Sequence, residues 1–529
     1  MLEQLPALIL LAPLFGALLI GLIGLHDRRA CFPIAFTSLV ISLASAIGAG
    51  MRAFTDGPYN YFMGGWEEPL GISIVLRVDA LNGLLLIAIA VVAVLAVIFT
   101  IRPSSEKDTD KTAYFYILFL LLCVGLFGIT ITGDAFNLFV LIEVSALTSY
   151  GLVAIGTSRR CKMAAFHYLL MGTVGASFYL LGVGYLYLKT GSLNIQDINT
   201  ILTTNATVAQ SPAIVTAFIL ILVGIWIKMA FFPLYGWLPN AYSYSPSGSS
   251  CLLAPLMTKV SVYVMIRVML SLFGLEWVFG HPGWSDLVVW LAVIAILAGS
   301  IMALAQREIK RMLCYLIVAE IGYMVGGAWL NDPNLWGLTG ASYHILADAM
   351  MTLCLFLFAG ILFKYHGVSE IGDLGGMFKK MPITSIGFIV GALAMIGVPP
   401  TCGFFSKFYL IRGGIEGGHP EYVAALLISS LVNAVLFFRI FEIAYFGKNP
   451  AAGHSHDHDH DDHDSHDHDD PGDAVTTAAR PSREAPVYAL IPLLAAAALI
   501  ILVGIFNGQI IELIRLAFEI PATVVSNLR

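Results

Sequence analysis

Charge is what this sequence has least of. Asp, Glu, Lys and Arg make up 12% of its 529 residues while 58% are hydrophobic, against about 25% charged in ordinary soluble domains. That balance excludes a water-soluble globular chain and predicts an all-α polytopic membrane protein. Cysteine is sparse too. The seven are scattered with no CxxC pair, which excludes a disulfide framework and a zinc knuckle. No flavin, haem or iron–sulfur motif is present, so no cofactor is expected and any redox chemistry falls to partners. Nor is there a basic excess. The formal charge is −7, but nine aspartates fall between residues 454 and 473, and without them the balance is +2. A nucleic-acid partner has no support. The first apolar run lacks a basic leader, with Glu3 in its place, and reads as a retained helix and not a cleaved signal.

What is abundant is apolar runs, enough for about fourteen spans of roughly 20 residues each. They divide into an N-terminal three-helix segment (1–112), two five-span units (113–274 and 285–446), a polar loop (447–485) and a last span with an amphipathic tail (486–529). Arg28, Arg29, Arg102, Lys107, Lys111, Arg159, Arg160, Lys162, Arg307, Lys310, Arg311, Lys364, Lys379 and Lys380 fall in odd-numbered loops; Arg52, Arg77 and Lys189 fall in even ones. The positive-inside rule then puts the odd loops in the cytoplasm and both termini outside.

Against this background a few ionisable residues stand inside the apolar runs. Pro233 lacks an N–H and its ring clashes with the Met229 carbonyl, so the seventh span must kink or open just past Lys228. Lys259 stands on the next span. Glu143 sits in the middle of the fifth, where a carboxylate needs a cation or a proton. A second break, GVPPTCGFFSK, carries Pro399 and Pro400 ahead of Lys407. Discontinuous helices often hold the sites of transporters, and two of them five spans apart suggest two structural repeats. Glu320, His344 and Asp348 lie between the breaks; the last two are at i, i+4 on one helical face, a relay spacing. The plainer readings are snorkelling for Lys228, a hydrogen-bonded neutral acid for Glu143 and a packing residue for His167. The adjacent break favours an ion route for Lys228, the lysines on other spans favour one for Glu143, and His167 stays even.

These stretches (TGDAFNLFVLIEVSALTSYGLVAIG, KMAFFPLYGWLPNAYSYSP, LMTKVSVYVMIRV, AQREIKRMLCY and GVPPTCGFFSKFYLIRGGIE) resemble the proton-conducting antiporter-like subunit family. That family comprises large subunits of Mrp-type Na⁺/H⁺ antiporters, antiporter-like subunits of respiratory complex I and membrane-bound hydrogenase relatives; the phrases are nearest the Mrp D type. The resemblance implies fourteen helices, two inverted five-helix repeats, two broken helices and a polar axis along the membrane midplane. By that likeness Glu143 and Lys228 form a carboxylate–lysine pair, Lys259 is the central lysine and Lys407 the terminal one. It also implies a bacterial or archaeal cytoplasmic membrane, and partner subunits in a hetero-oligomeric complex that handles protons and a monovalent cation.

The sequence departs from the family pattern. Tyr235 and Tyr242 stand at two histidine positions, and Glu320 stands where Gln is usual. The phrase with two histidines and a lysine at four-residue spacing reads His344, Asp348, Thr352. Either Asp348 and Glu320 bind a cation or proton directly, or this half is rewired. An ion-translocating antiporter subunit ranks first, a transporter and not an enzyme. A proton-pumping subunit of a redox-driven complex ranks second, and a non-conducting scaffold third. Between the last two spans His454, His456, His458 and His460 alternate with Asp and could chelate Zn²⁺ or Ni²⁺; a solvated linker is the favoured reading. The tail IIELIRLAFEIPATVVSNLR, with Glu512, Arg515 and Glu519, predicts an amphipathic helix at the external surface or against a partner.

Overall fold

The computed structural model describes residues 2–65, 74–101, 111–447 and 484–526, so the His454–His460 stretch lies outside the described residues. Helix dominates, because backbone in hydrocarbon must satisfy its own N–H and C=O groups. The first six spans are α1 (Leu5–Leu19), α2 (Cys31–Asp56), α3 (Ala80–Phe99), α4 (Thr112–Ile131), α5 (Ala135–Ala154) and α6 (Arg159–Thr190). The broken seventh comprises α7 (Pro212–Met229) and the short α8 (Leu238–Tyr244). Then come α9 (Ser247–Arg267), α10 (Trp284–Leu304), α11 (Ile309–Trp329) and α12 (Trp336–Ile361). The second broken span is α13 (Pro382–Ile396) and α14 (Cys402–Glu416), followed by α15 (Pro420–Phe446), α16 (Val487–Ile505) and α17 (Asn507–Ser526). Thirteen helices among the described residues are long and apolar enough to cross a membrane, and α13 is a shorter apolar helix. The difference from fourteen is the break at Pro399–Pro400, which divides one span in two.

Polar side chains fix the helix starts. Asp79 accepts from the Asn82 N–H while Asn82 returns a bond to the Asp79 N–H, a reciprocal cap on α3. Asp134 caps α5 and Ser158 caps α6 in the ordinary one-way manner. One end of the bundle carries a hairpin, β1 (Tyr59–Phe62) against β2 (Val75–Val78), antiparallel with Tyr59 opposite Val78. The turn before α5 joins it, Gly133 donating to the Val75 carbonyl at 2.8 Å.

Burial is uneven. The apolar window of α12 is buried throughout and that of α11 to 94%, whereas α6 is buried to 39%. The molecular centre is therefore α11 and α12, with α9 beside them. Where α6 crosses α7 the backbones meet at Gly175 and Gly224; a Cβ on Gly224 would stand 2.6 Å from the Gly175 carbonyl oxygen. Small residues are what allow helices without side-chain spacers to approach this closely. The tail helix α17 packs against α3 and α12. Its Arg515 guanidinium lies 4.4 Å from the Trp336 ring centroid, with Arg412 on the same ring at 3.8 Å.

Candidate functional site

The first cluster is built by the break in the seventh span. Helix α7 ends at Met229, and Ala230 turns the chain in a left-handed conformation (φ 61°). The carbonyls freed there are recovered: Phe231 N–H donates to Trp226 O, and the Trp237 indole to Ile227 O, both at 3.0 Å. Lys228 does not snorkel. Its Nζ lies 3.2 Å from Glu143 Oε1 of α5, and the two side chains are 10% and 28% exposed. A cavity of about 20 Å³ touches Lys228, with Ser145, Tyr179 and Ser261 among its polar lining. That is enough for one water.

The second cluster joins α9 to α12. Lys259 Nζ lies 3.0 Å from Asp348 Oδ2, with side chains 1% and 0% exposed. The same ammonium donates to the Ala254 carbonyl at 3.2 Å and to Thr352 Oγ1 at 3.3 Å, and Thr352 donates on to Asp348 Oδ1 at 2.7 Å. The hydroxyl at the missing-lysine position thus completes a ring of three groups, and the lysine of the neighbouring helix supplies the charge.

The third cluster joins α11, α12 and α14. His344 Nδ1 is 2.8 Å from Ser406 Oγ, and its Nε2 is 2.6 Å from Glu320 Oε2. Ser406 spends its own hydrogen on the Gly403 carbonyl, so it accepts from Nδ1–H. One proton then lies between Nε2 and Oε2, as neutral imidazole with carboxylic acid or imidazolium with carboxylate. Glu320 Oε1 is buried without a hydrogen-bond partner among the described residues, which makes it the open acceptor of the cluster. Lys407 is paired with no carboxylate among the described residues. It donates to the Met395 and Ile396 carbonyls at 2.8 and 3.4 Å and to Ser430 Oγ at 3.0 Å, above the Tyr323 ring. The C-terminal end of half-helix α13 holds the cation by its dipole and its freed carbonyls.

The i, i+4 pair His344 and Asp348 shares a helix but not a partner: His344 serves the third cluster and Asp348 the second. His167 lies on the exposed face of α6, apart from all three. The sequence reading passed over Ser406, Ser430 and Tyr323, although Ser406 adjoins Lys407. It also passed over the Arg267 guanidinium, which binds both Asp79 oxygens near the hairpin. Burial alone would raise the Asp79 carboxyl, but Arg267 and the Asn82 N–H hold it below the ordinary carboxylate range.

Comparison with known proteins agrees in kind. The family description NADH:quinone oxidoreductase/Mrp antiporter, TM matches residues 132–433. A NADH-quinone oxidoreductase N subunit of Desulforudis audaxviator (strain MP104C) is 39% identical over 513 residues, 97% of this chain and 98% of that one. The D subunit of a Na(+)/H(+) antiporter from Bacillus subtilis (strain 168) is 31% identical over 411 residues, 77% and 81% of the two chains. A chain in the solved membrane-bound sulfane sulfur reductase, an archaeal respiratory membrane complex, superposes with a TM-score of 0.83 at 26% identity, over 98% and 97% of the chains.

Proposed function

The chain belongs to the NADH:quinone oxidoreductase/Mrp antiporter transmembrane family, and on that premise we propose that it is the ion-translocating subunit of a multisubunit monovalent cation/proton antiporter. The carrying observation is the line of buried charge: Glu143–Lys228, Lys259–Asp348 and Glu320–His344 with Lys407. Protonation of one carboxylate releases its lysine, and the uncompensated ammonium biases the next pair through low-dielectric surroundings. Residues 113–274 and 285–446 form the two repeats. Both termini lie outside a bacterial or archaeal cytoplasmic membrane, as the sorting of basic residues supports.

A second reading has its own support. The relative matching 97% of the chain is named for a quinone oxidoreductase, and a redox-driven partner could power the same line of charge. Everted vesicles carrying the complete native complex separate the two. Antiport is expected as Na⁺- or K⁺-dependent dissipation of ΔpH that Lys228→Ala and Glu143→Ala abolish with assembly intact. Redox-driven ΔpH without a cation response would select the pump, and unaltered flux in both variants a non-conducting scaffold.

A further inference from the structure

The two broken spans close differently. At the first, the Trp226 and Ile227 carbonyls are taken up by the chain's own donors, the Phe231 N–H and the Trp237 indole. At the second, Pro399 and Pro400 stand four residues after Met395 and Ile396, the spacing at which a helix would return an N–H to each carbonyl. Among the described residues no backbone N–H replaces the missing two; Gly397 and Val398 turn back onto Leu393 and Ala394 instead. What the Met395 and Ile396 carbonyls receive is the Lys407 ammonium, at 2.8 and 3.4 Å.

Two side chains of α15 complete the surroundings. Ser430 Oγ is the third oxygen on the ammonium, at 3.0 Å. Asn433 is fully buried and donates from Nδ2 to the same Met395 carbonyl at 3.3 Å, while its Oδ1 has no partner among the described residues. Turning that amide over sets Oδ1 against the Met395 oxygen, which is repulsive for two bare acceptors and favourable with a cation between them. The cradle thus offers two backbone carbonyls, a hydroxyl and an amide oxygen at the negative end of the α13 dipole. Neutral oxygens of this kind replace the water shell of a monovalent ion, whereas Ca²⁺ sites draw on carboxylates. Ser430 is partly exposed and Pro399 and Pro400 are exposed, so the cradle lies near the rim of the bundle.

We propose that this cradle is a binding site for a monovalent metal cation, and that the Lys407 ammonium occupies it here in the metal's place. The two exclude each other by volume and by charge. Gly397 leaves space for the lysine stem, since a Cβ there would stand 3.2 Å from Lys407 Cδ. A displaced ammonium has a destination: past the Tyr323 ring, whose centroid is 5.2 Å away, towards Glu320 on the same helix as that ring, where Oε1 is buried and open. Glu320 meets it as a carboxylate once the proton shared with His344 Nε2 has left. One metal ion then enters as one proton leaves, and the charge of the cluster is unchanged. The exchange rests on the antiport reading; the site itself does not.

Equilibrating the complete complex in detergent with radiolabelled Rb⁺, a K⁺ congener, tests the site without transport. Lys407→Met removes the ammonium and should let each chain retain about one Rb⁺ more than wild type, released by excess K⁺ and not by Ca²⁺. Adding Ser430→Ala and Asn433→Leu should remove that gain. No gain in an assembled Lys407→Met complex would overturn the site. So would a gain that survives the two added substitutions, or one that Ca²⁺ displaces. Lys407→Ala carries the same test where Lys407→Met does not assemble. If Rb⁺ is gained while wild-type vesicles show no cation-dependent dissipation of ΔpH, the site stands and the antiport reading is the one that falls.

Discussion

Lys228 and Lys259 are the same residue type, stand on neighbouring spans and each meets a carboxylate at about 3 Å (3.2 and 3.0 Å). Their surroundings differ. Glu143 sits on a helix half open to the outside of the bundle and is 28% exposed, and among the described residues its partner makes that one bond. Lys259 and Asp348 lie between two enclosed helices, are at most 1% exposed and share the Thr352 hydroxyl, while Lys259 also donates to the Ala254 carbonyl. A loose pair opens at small cost and can respond to a neighbouring charge. A sealed pair is held by its ring of bonds and fixes where α9 meets α12. One chemistry therefore divides into a responsive site and an anchored one, and burial makes the division.

The largest effect should come from breaking the sealed pair by one member. Lys259→Met or Asp348→Leu alone leaves a buried charge uncompensated and should cost on the order of 3–5 kcal/mol. The double variant should recover most of that stability in a thermal-shift assay while ion flux stays lost. A double variant as unstable as the singles would show that the anchor is packing and not charge. Next, Thr352→Lys restores the lysine of the family phrase but sets it against Lys259, and should destabilise by about 2–3 kcal/mol. Stability equal to wild type would mean that the pocket takes up a further anion or rearranges.

Glu143→Gln should be milder for stability, within about 1 kcal/mol because the pair is partly exposed, yet should abolish antiport. A large fall in melting temperature would erase the contrast between the two pairs. The smallest effect concerns acid. The Asp79 carboxyl is held below its ordinary value by Arg267 and the Asn82 N–H, so its contribution is present above about pH 4 and lost as pH falls through the folded value. Asp79→Asn should flatten the acid limb of a stability-against-pH curve in detergent; an unaltered limb would place the acid sensitivity in other carboxylates.

Much of the fold was readable from composition because a bilayer allows so few alternatives. Apolar runs of sufficient length become helices, and Pro233 and the Pro399–Pro400 pair stop them where an N–H is missing. The helix ends at Met229 and at Ile396 follow from that local chemistry. The likeness to a known family named Glu143 and Lys228 as a pair, and the structure brings them into contact. Ser406 and Ser430 escaped notice because a hydroxyl carries no signal in an apolar run until a charged group is placed against it. The Arg267–Asp79 contact joins residues 188 positions apart, a distance no periodicity spans.

Taken alone, the sequence determined the membrane setting, the helical spans, the two breaks and the span that carries each lysine, since these depend on residue type and spacing along one chain. Only the tertiary structure decided which acid meets which base. His344 and Asp348 sit one turn apart on α12, yet one meets Glu320 of α11 and the other Lys259 of α9. A helix fixes the direction in which a side chain leaves its axis. What that side chain finds there, and how much water comes with it, is set by the helices packed around it.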